Sequence, residues 1–414
     1  MAACAPLLVE RRGPGILSSM KIAVFLPNWL GDLAMATPTL RALRRHFGPE
    51  ARLVGILRPY LADVLAGAGW LDEQWFFDPR AEDPSLHSAA VARRMRAERF
   101  DLAVLMTNSL RTAWLAWRGQ ARERVGYVRY GRGPLLTKKL YPPRGRKSSR
   151  KRGQAPFVRS TQRAVPANGA CPLFRPLTPV PMVETYLELA RAVGCGDESP
   201  RLELTTTPAD ERSADQVFER LGLRSDGRVA AINSSGAYGG SKLWPVEYFA
   251  KLARRIIDEL DHDVLVLCGP KEREIAREIV RQAGGAKGTV PFSLIRKSGQ
   301  SPGRVVSMAD QPMDLGTAKA CIRRCRWMVS TDSGPRHVAA ALGLPVVTLF
   351  GPMLPVWSEN PTQRAINLVL DLDCIGCHKR VCPLKHHRCM RELTVDRVFA
   401  AVTELEKEPC GSAS

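Results

Sequence analysis

Short runs of apolar, β-branched residues alternate with stretches whose apolar positions recur at helical spacing. The apolar runs predict strands at Lys21–Leu26, Arg52–Leu57, Gln74–Phe77, Asp101–Met106, Arg228–Asn233, Asp263–Cys268, Trp327–Ser330, Pro345–Phe350 and Ile366–Leu370. Nearly every residue in them is apolar, with no inside–outside alternation. That pattern suits parallel sheets covered on both faces. Helical periods fall at Asp32–Phe47, Tyr60–Ala66, Ser88–Glu98, Val183–Val193, Ala209–Leu221, Val246–Leu260, Glu272–Gln282, Leu315–Cys325, Pro335–Leu342 and Thr394–Lys407. Alternation on this scale predicts an α/β chain of doubly wound sheets.

The alternation is interrupted once. Residues 124–183 hold fourteen Lys and Arg and no Asp or Glu, with many Pro and Gly and no surviving period. The segment reads as a long basic loop inserted in the first of two α/β domains. The helix at Val183–Val193 and the irregular stretch after it read as the hinge. Ligands of open α/β sheets bind at the carboxyl ends of the strands, so the cleft between two such domains is the default site.

Composition sharpens this picture in two ways. The chain of 414 residues has 61 Lys and Arg against 41 Asp and Glu, a net charge of +20, which points to a polyanionic partner. A hydrophobic content of 45% excludes a wholly disordered chain, and no apolar run is long enough to span a membrane. Eleven cysteines, an odd number, do not make a disulfide framework in a chain this long. The start MAACAPLLVERRGPGILSS has no continuous apolar stretch of the signal-peptide kind, and the chain reads as cytoplasmic and reduced. Residues 1–19 read as a disordered extension or a mis-set start, because Met20 runs straight into the first strand.

Three strand-to-helix junctions carry candidate chemistry. In Asn28-Trp29-Leu30-Gly31-Asp32, Asp32 is either a helix cap or a carboxylate facing the cleft as general base. The Gly- and Ser-rich turn from Ser234 to Trp244 lets amides approach an anion, and Lys242 within it can meet a phosphate. It is not a Walker A loop, whose spacing and Lys-Ser/Thr ending it lacks. The third junction, Ser330-Thr331-Asp332-Ser333-Gly334-Pro335-Arg336-His337, ends a strand and opens an alanine-rich helix closed by Gly343. The amides of Ser333 and Gly334 at that helix start form an anion site.

These residues carry a resemblance. The third junction, with Phe350-Gly351-Pro352 beyond it, resembles the signature of the ADP-heptose:lipopolysaccharide heptosyltransferase family (glycosyltransferase family 9). The segments GDLAMATPTLRAL and Lys242-Leu243-Trp244-Pro245 are similar to that family's other motifs, and the start and cysteine-bearing tail look most like its type II subgroup. The resemblance implies a GT-B fold, two Rossmann-like domains facing a central cleft. It divides the chain into an acceptor domain at 20–195, an ADP-sugar domain at 196–390, and a C-terminal helix at 391–414 returning to the first domain. It implies an inverting transfer of L-glycero-D-manno-heptose from ADP-heptose to the heptosyl-Kdo-lipid A inner core of lipopolysaccharide. Asp32 falls on the base, Lys242 with Ser333 and Gly334 on the diphosphate, and Asp332 with His337 beside the sugar. Arg336 stands where the family often has an uncharged residue.

The acceptor side is expected to use Arg58 and Arg111 at strand ends, and Arg144, Arg146 and Lys147 in the basic segment, which also suits a peripheral seat on an anionic inner leaflet. Nucleic acid is the disfavoured partner, since no RRM, KH or zinc-finger pattern is present. Catalysis is expected to be metal-independent, with no cofactor required. Cys374, Cys377, Cys382 and Cys389 have the spacing C-x2-C-x4-C-x6-C, which suits a structural Zn²⁺ or an iron–sulfur centre, or else reduced thiols packing the last loop. Two other functions remain open: a heptosyltransferase with a different acceptor, and a non-catalytic polyanion-binding protein on the same fold.

Overall fold

The computed structural model describes residues 20–142, 180–234, 236, 239–284, 303–312 and 314–407. The first six strands are β1 Lys21–Phe25, β2 Arg52–Leu57, β3 Glu73–Phe76, β4 Leu102–Leu105, β5 Glu123–Tyr127 and β6 Lys138–Leu140. The second six are β7 Val229–Asn233, β8 Asp263–Leu267, β9 Val305–Ser307, β10 Trp327–Thr331, β11 Val346–Phe350 and β12 Ala365–Val369. Helices α1 to α5 are Leu30–Met35, Thr37–Phe47, Ser88–Glu98, Leu110–Arg118 and Met182–Ala192. Helices α6 to α12 are Pro208–Leu221, Val246–Leu260, Arg273–Gln282, Leu315–Arg323, Gly334–Ala341, Arg388–Arg391 and Val395–Lys407.

Both sheets are fully parallel. Their orders are β3-β2-β1-β4-β5-β6 and β12-β11-β10-β7-β8-β9. Counted from each domain's own first strand, both follow the doubly wound order 3-2-1-4-5-6. The order in which strands are added reverses between β1 and β4, and again between β7 and β10. A crevice opens at the carboxyl ends of those strands, and all three candidate junctions start there.

Strand alternation explains the layers. On β1, Ile22 and Val24 enter one core, while Ala23 and Phe25 enter another under α3 and α4. The first of these cores does not stop at the domain boundary. It joins Leu33, Leu40 and Tyr186 of the first domain to Val217, Met328 and Val338 of the second. A third core lies under α7 and α8 on the far face of the second sheet.

Several sequence expectations change. The single helix expected at Asp32–Phe47 is two, because Pro38 has no amide and cannot continue the ladder from α1. Residues 124–127 and 138–140 are not loop: β5 and β6 complete the first sheet. Their pattern was masked by charge, Lys138 and Lys139 being exposed on an edge strand where lysine guards against further pairing. Arg144, Arg146 and Lys147 lie outside the described residues. Helix α4 was missed altogether, and Tyr60–Ala66 is 3-10 rather than α, spanning Pro59–Leu65. The helix read as a hinge, α5, packs on α1, α2 and β5 as part of the first domain. The C-terminal helix does not return to that domain. Val398, Phe399, Val402 and Leu405 of α12 form one apolar stripe buried against α7 and the second sheet, and Trp327 Nε1 donates to Glu406 Oε2 at 2.7 Å.

The two domains are also tied by one buried cation. Lys319 on α9, almost fully buried, donates across the boundary to the carbonyls of Asp63 (2.9 Å), Ala66 (3.3 Å) and Val64 (3.4 Å). Those carbonyls close the 3-10 turn at Pro59–Leu65, and Asp210 Oδ2 stands 3.5 Å from the ammonium. Lys319→Met leaves these acceptors and Asp210 buried without their donor. It should destabilise the chain by about 3 kcal/mol in urea unfolding. A loss below about 1 kcal/mol would show that the lysine is not a structural tie.

Candidate active site

Helix α1 starts directly after β1, and α10 directly after β10, so two helix N-termini meet across the crevice. Their approach is set by two glycines. A Cβ on Gly31 would lie 2.9 Å from His337 Cδ2 and 3.2 Å from the Gly334 Cα. A Cβ on Gly334 would lie 3.0 Å from Leu30 Cβ and 3.2 Å from the Gly31 amide nitrogen. Any side chain at either position would push the domains apart.

Asp32 sits in the first turn of α1 and not at its cap, which is Trp29. Burial pushes its carboxyl up to about 6. Asp332 nearby adds to that rise, while hydrogen bonding from Tyr186 and the charge of Lys242 oppose it. The opposite environment surrounds Asp332. Lys242 Nζ donates to its Oδ2 at 2.6 Å and to its carbonyl at 2.8 Å. Arg336, buried, donates from Nε to Oδ1 at 3.1 Å and from Nη2 to Ser358 Oγ. Although burial opposes ionisation, the cations Arg336 and Lys242 hold the Asp332 carboxyl down at about 2. Two carboxylates in one crevice are thus driven apart, one poised near neutrality and one fixed as an anion.

The α10 side of the crevice leaves polar groups unpaired. Ser333 occupies the cap position of α10, yet its hydroxyl makes no cap bond and instead accepts from Asn233 Nδ2 at 2.8 Å. The first-turn amides of α10 therefore lack a side-chain partner among the described residues. His337 is buried and held well below its usual range by desolvation and by Arg336, so its ring is neutral. Its Nδ1, Asn233 Oδ1 and the Ser234 hydroxyl are buried without hydrogen-bond partners among the described residues. Orphaned polar atoms clustered at one sheet edge mark a place for a polar ligand.

Lys242 is held from behind by the cysteine-bearing loop. Ser241 donates from its amide to the Arg380 carbonyl (3.1 Å) and from Oγ to the Lys379 carbonyl (2.6 Å), and its own carbonyl accepts from His387 Nε2 at 2.7 Å. Cys374, Cys377, Cys382 and Cys389 are free, partly buried thiols on this loop. Burial, with the other three thiols close by, raises Cys389 to about 11. Among the described residues, no group of three or more His, Cys, Asp or Glu is arranged to hold a metal ion. What the structure shows the loop doing is bracing the Lys242 turn.

The comparisons agree with this geometry. The family model for glycosyltransferase family 9 (heptosyltransferase) matches residues 175–388, half of the chain. The chain belongs to glycosyltransferase family 9. A lipooligosaccharide heptosyltransferase 2 of Campylobacter jejuni is 27% identical over 190 residues, covering 45% of this chain and 53% of that protein. The chain thus spans about half the length of that relative. Lipopolysaccharide heptosyltransferase 2 of Escherichia coli is 24% identical over 401 residues, 93% of this chain and 98% of that one. Among solved structures, a glycosyl transferase family 9 protein of Veillonella parvula superposes with a TM-score of 0.70 at 21% identity, covering 93% of this chain and 97% of its own. The E. coli ADP-heptose heptosyltransferase II gives 0.65 at 21%, covering 93% and 98%. These likenesses fix the fold as GT-B.

The fold brings most of the residues singled out from the sequence to one crevice. Asp32, Lys242, Asp332, Ser333, Gly334 and His337 converge. Lys242 is already engaged, however, gripping the carboxylate expected to hold the sugar. Arg58 is ion-paired with Asp78, and Arg111 lies exposed at the start of α4. Four participants were not anticipated. Tyr186 reaches Asp32 from a helix distant in sequence, Arg336 completes the grip on Asp332, and Trp29 and Tyr60 form an exposed aromatic rim beside Asp32. Only Arg336, a charge on an otherwise small-residue helix, left a signal in the sequence.

The raised carboxyl of Asp32 has a thermodynamic sign. The unfolded chain loses this proton near pH 4 and the folded chain near 6, so folding becomes less favourable as pH rises between those values. Asp32→Asn escapes that penalty and keeps an acceptor for Tyr186. It should be more stable than the parent by about 2 kcal/mol above pH 6, with the advantage gone below pH 4, in paired urea titrations. A variant less stable than the parent at pH 7.5 would contradict the electrostatic account.

Proposed function

We propose that the protein transfers L-glycero-D-manno-heptose from ADP-heptose, with inversion, to the heptosyl-Kdo-lipid A inner core of lipopolysaccharide. Its similarity to heptosyltransferase 2 proteins supports the substrate class. The observation that carries the chemistry is the meeting of Asp32, poised near neutrality, with two cations and an uncapped helix N-terminus across a glycine-to-glycine contact.

On this reading the acceptor hydroxyl attacks the anomeric carbon from the side of the first domain. Its proton passes to Asp32 as the new glycosidic bond forms. The bond from the anomeric carbon to the diphosphate breaks, and ADP leaves with the electron pair. Negative charge then grows on the leaving diphosphate. The α10 amides at Ser333 and Gly334 and the ammonium of Lys242 meet that charge. Lys242 is paired with Asp332 beforehand, so the diphosphate must draw it away. Arg336 stays on the other oxygen and keeps Asp332 ionised beside the sugar. With neutral His337 completing the pocket, these groups supply the positive potential themselves, and no metal is required. Transfer should then continue undiminished in EDTA.

The acceptor would enter over Trp29 and Tyr60, with Arg58 and Arg111 on the same rim. Its anionic lipid character and the net charge of +20 support a peripheral seat at the cytoplasmic face of the inner membrane. No helix among the described residues is long and apolar enough to cross a membrane.

The test is mass detection of heptosylated product from ADP-heptose and defined Kdo-lipid A acceptors. Asp32→Asn should lower turnover by at least about 10²-fold while leaving ADP affinity within about threefold of the parent. Lys242→Met should cost on the order of 10²-fold. In the parent, kcat/KM should rise with pH and level off above about 6, as Asp32 ionises. Near-parental transfer by Asp32→Asn would remove Asp32 as the base.

A further inference from the structure

Helix α4 carries more apolar surface than the fold uses. Its inward residues Thr112, Ala113, Leu115 and Ala116 are buried against the first sheet and α3. Its outward face is Leu110, Arg111, Trp114, Trp117 and Arg118, all exposed, with Leu110 at 51% and Trp117 at 48%. These positions share one side at 3.6 residues per turn. Two tryptophans and a leucine left in water on a helix of nine residues are not explained by packing among the described residues.

The charges on this face are of one sign. Helix α4 contains no Asp or Glu. Neither Arg111 nor Arg118 has a carboxylate within ion-pair distance among the described residues. The adjoining helix α3 adds Arg93 and Arg96, also exposed. Tryptophan between arginines on a convex helix face is the composition of an interfacial surface: the indole settles at headgroup depth and the guanidinium meets phosphate. The face also lies in a suitable place. Helix α4 starts at the carboxyl edge of the first sheet, where Asp32 and the Trp29–Tyr60 rim stand, and runs away from it.

We propose that the outward face of α4 seats the protein on an anionic lipid bilayer. Trp114 and Trp117 enter the headgroup boundary, and Arg118 with Arg93 binds lipid phosphate. The idea deepens the proposed function, on which it rests only for the acceptor it brings to the crevice. The lipid binding itself can be measured without any sugar.

The experiment is sedimentation of the full chain with vesicles of equal parts phosphatidylglycerol and phosphatidylcholine, and with pure phosphatidylcholine. The parent should bind the mixed vesicles, bind phosphatidylcholine at least tenfold more weakly, and lose affinity as salt is raised. Trp114→Ala combined with Trp117→Ala should weaken binding to the mixed vesicles on the order of tenfold. Arg118→Gln combined with Arg93→Gln should do the same. The tryptophan variant should keep the parental urea midpoint and its transfer rate on a deacylated, water-soluble acceptor. Parental binding by both double variants would overturn the proposal, as would equal binding of the parent to the two vesicle types. A solution dimer that dissociates in the tryptophan variant, with vesicle binding unchanged, would assign the face to a second copy instead. Failure of transfer by the parent on the soluble acceptor would defeat the heptosyltransferase reading and leave the lipid surface standing.

Discussion

Two helix N-termini point at each other across a gap that only glycine can span. Each carries the partial positive charge of its unsatisfied amides, and bringing like ends together is unfavourable without anions between them. Asp32 and Asp332 provide part of that charge. Lys242 and Arg336 restore positive potential from the second domain, so the crevice as a whole is short of anions. Gly31 and Gly334 make this arrangement possible, since a methyl group on either would separate the helices and dissolve the electrostatic problem together with its use.

The two aspartates show how position sets role. Asp332 meets a cation at each oxygen and stays ionised despite burial. Asp32 is buried with only a phenol as close partner and a second carboxylate nearby, so its proton is held more tightly. Swapping two such environments would require moving whole strands, because Asp332 directly follows the central strand β10 and Asp32 lies in the helix that follows the central strand β1. The fold therefore determines the protonation pattern through topology, and only secondarily through the identity of individual neighbours.

The sequence made much of this visible. Nine apolar runs located nine of the twelve strands, because fully buried parallel strands leave a continuous signal. The strands it hid are β5, β6 and β9. The first two carry charged residues at or near a sheet edge, and β9 is only three residues long, so burial left no long apolar run to see. Asp32, Lys242 and Asp332 could be found because glycine, serine and proline cluster where strands turn into helices. Tyr186 and Ser241 could not. Their roles come from contacts between segments far apart in the chain, and local pattern holds no record of those. The return of the last helix was inferred from family likeness, and the apolar stripe of α12 decided otherwise by fitting the groove beside α7.

The apolar layer between the sheets is common property of the two domains. Leu40 and Val217, or Leu33 and Val338, belong to one continuous interior, and Lys319 anchors in it from one side to the other. Swinging the halves apart to widen the crevice would wet the shared layer, so that layer opposes it. Movement at the rim, by side chains and short turns at the carboxyl edges of the strands, leaves the layer intact. The molecule is in effect a rigid jaw with soft lips.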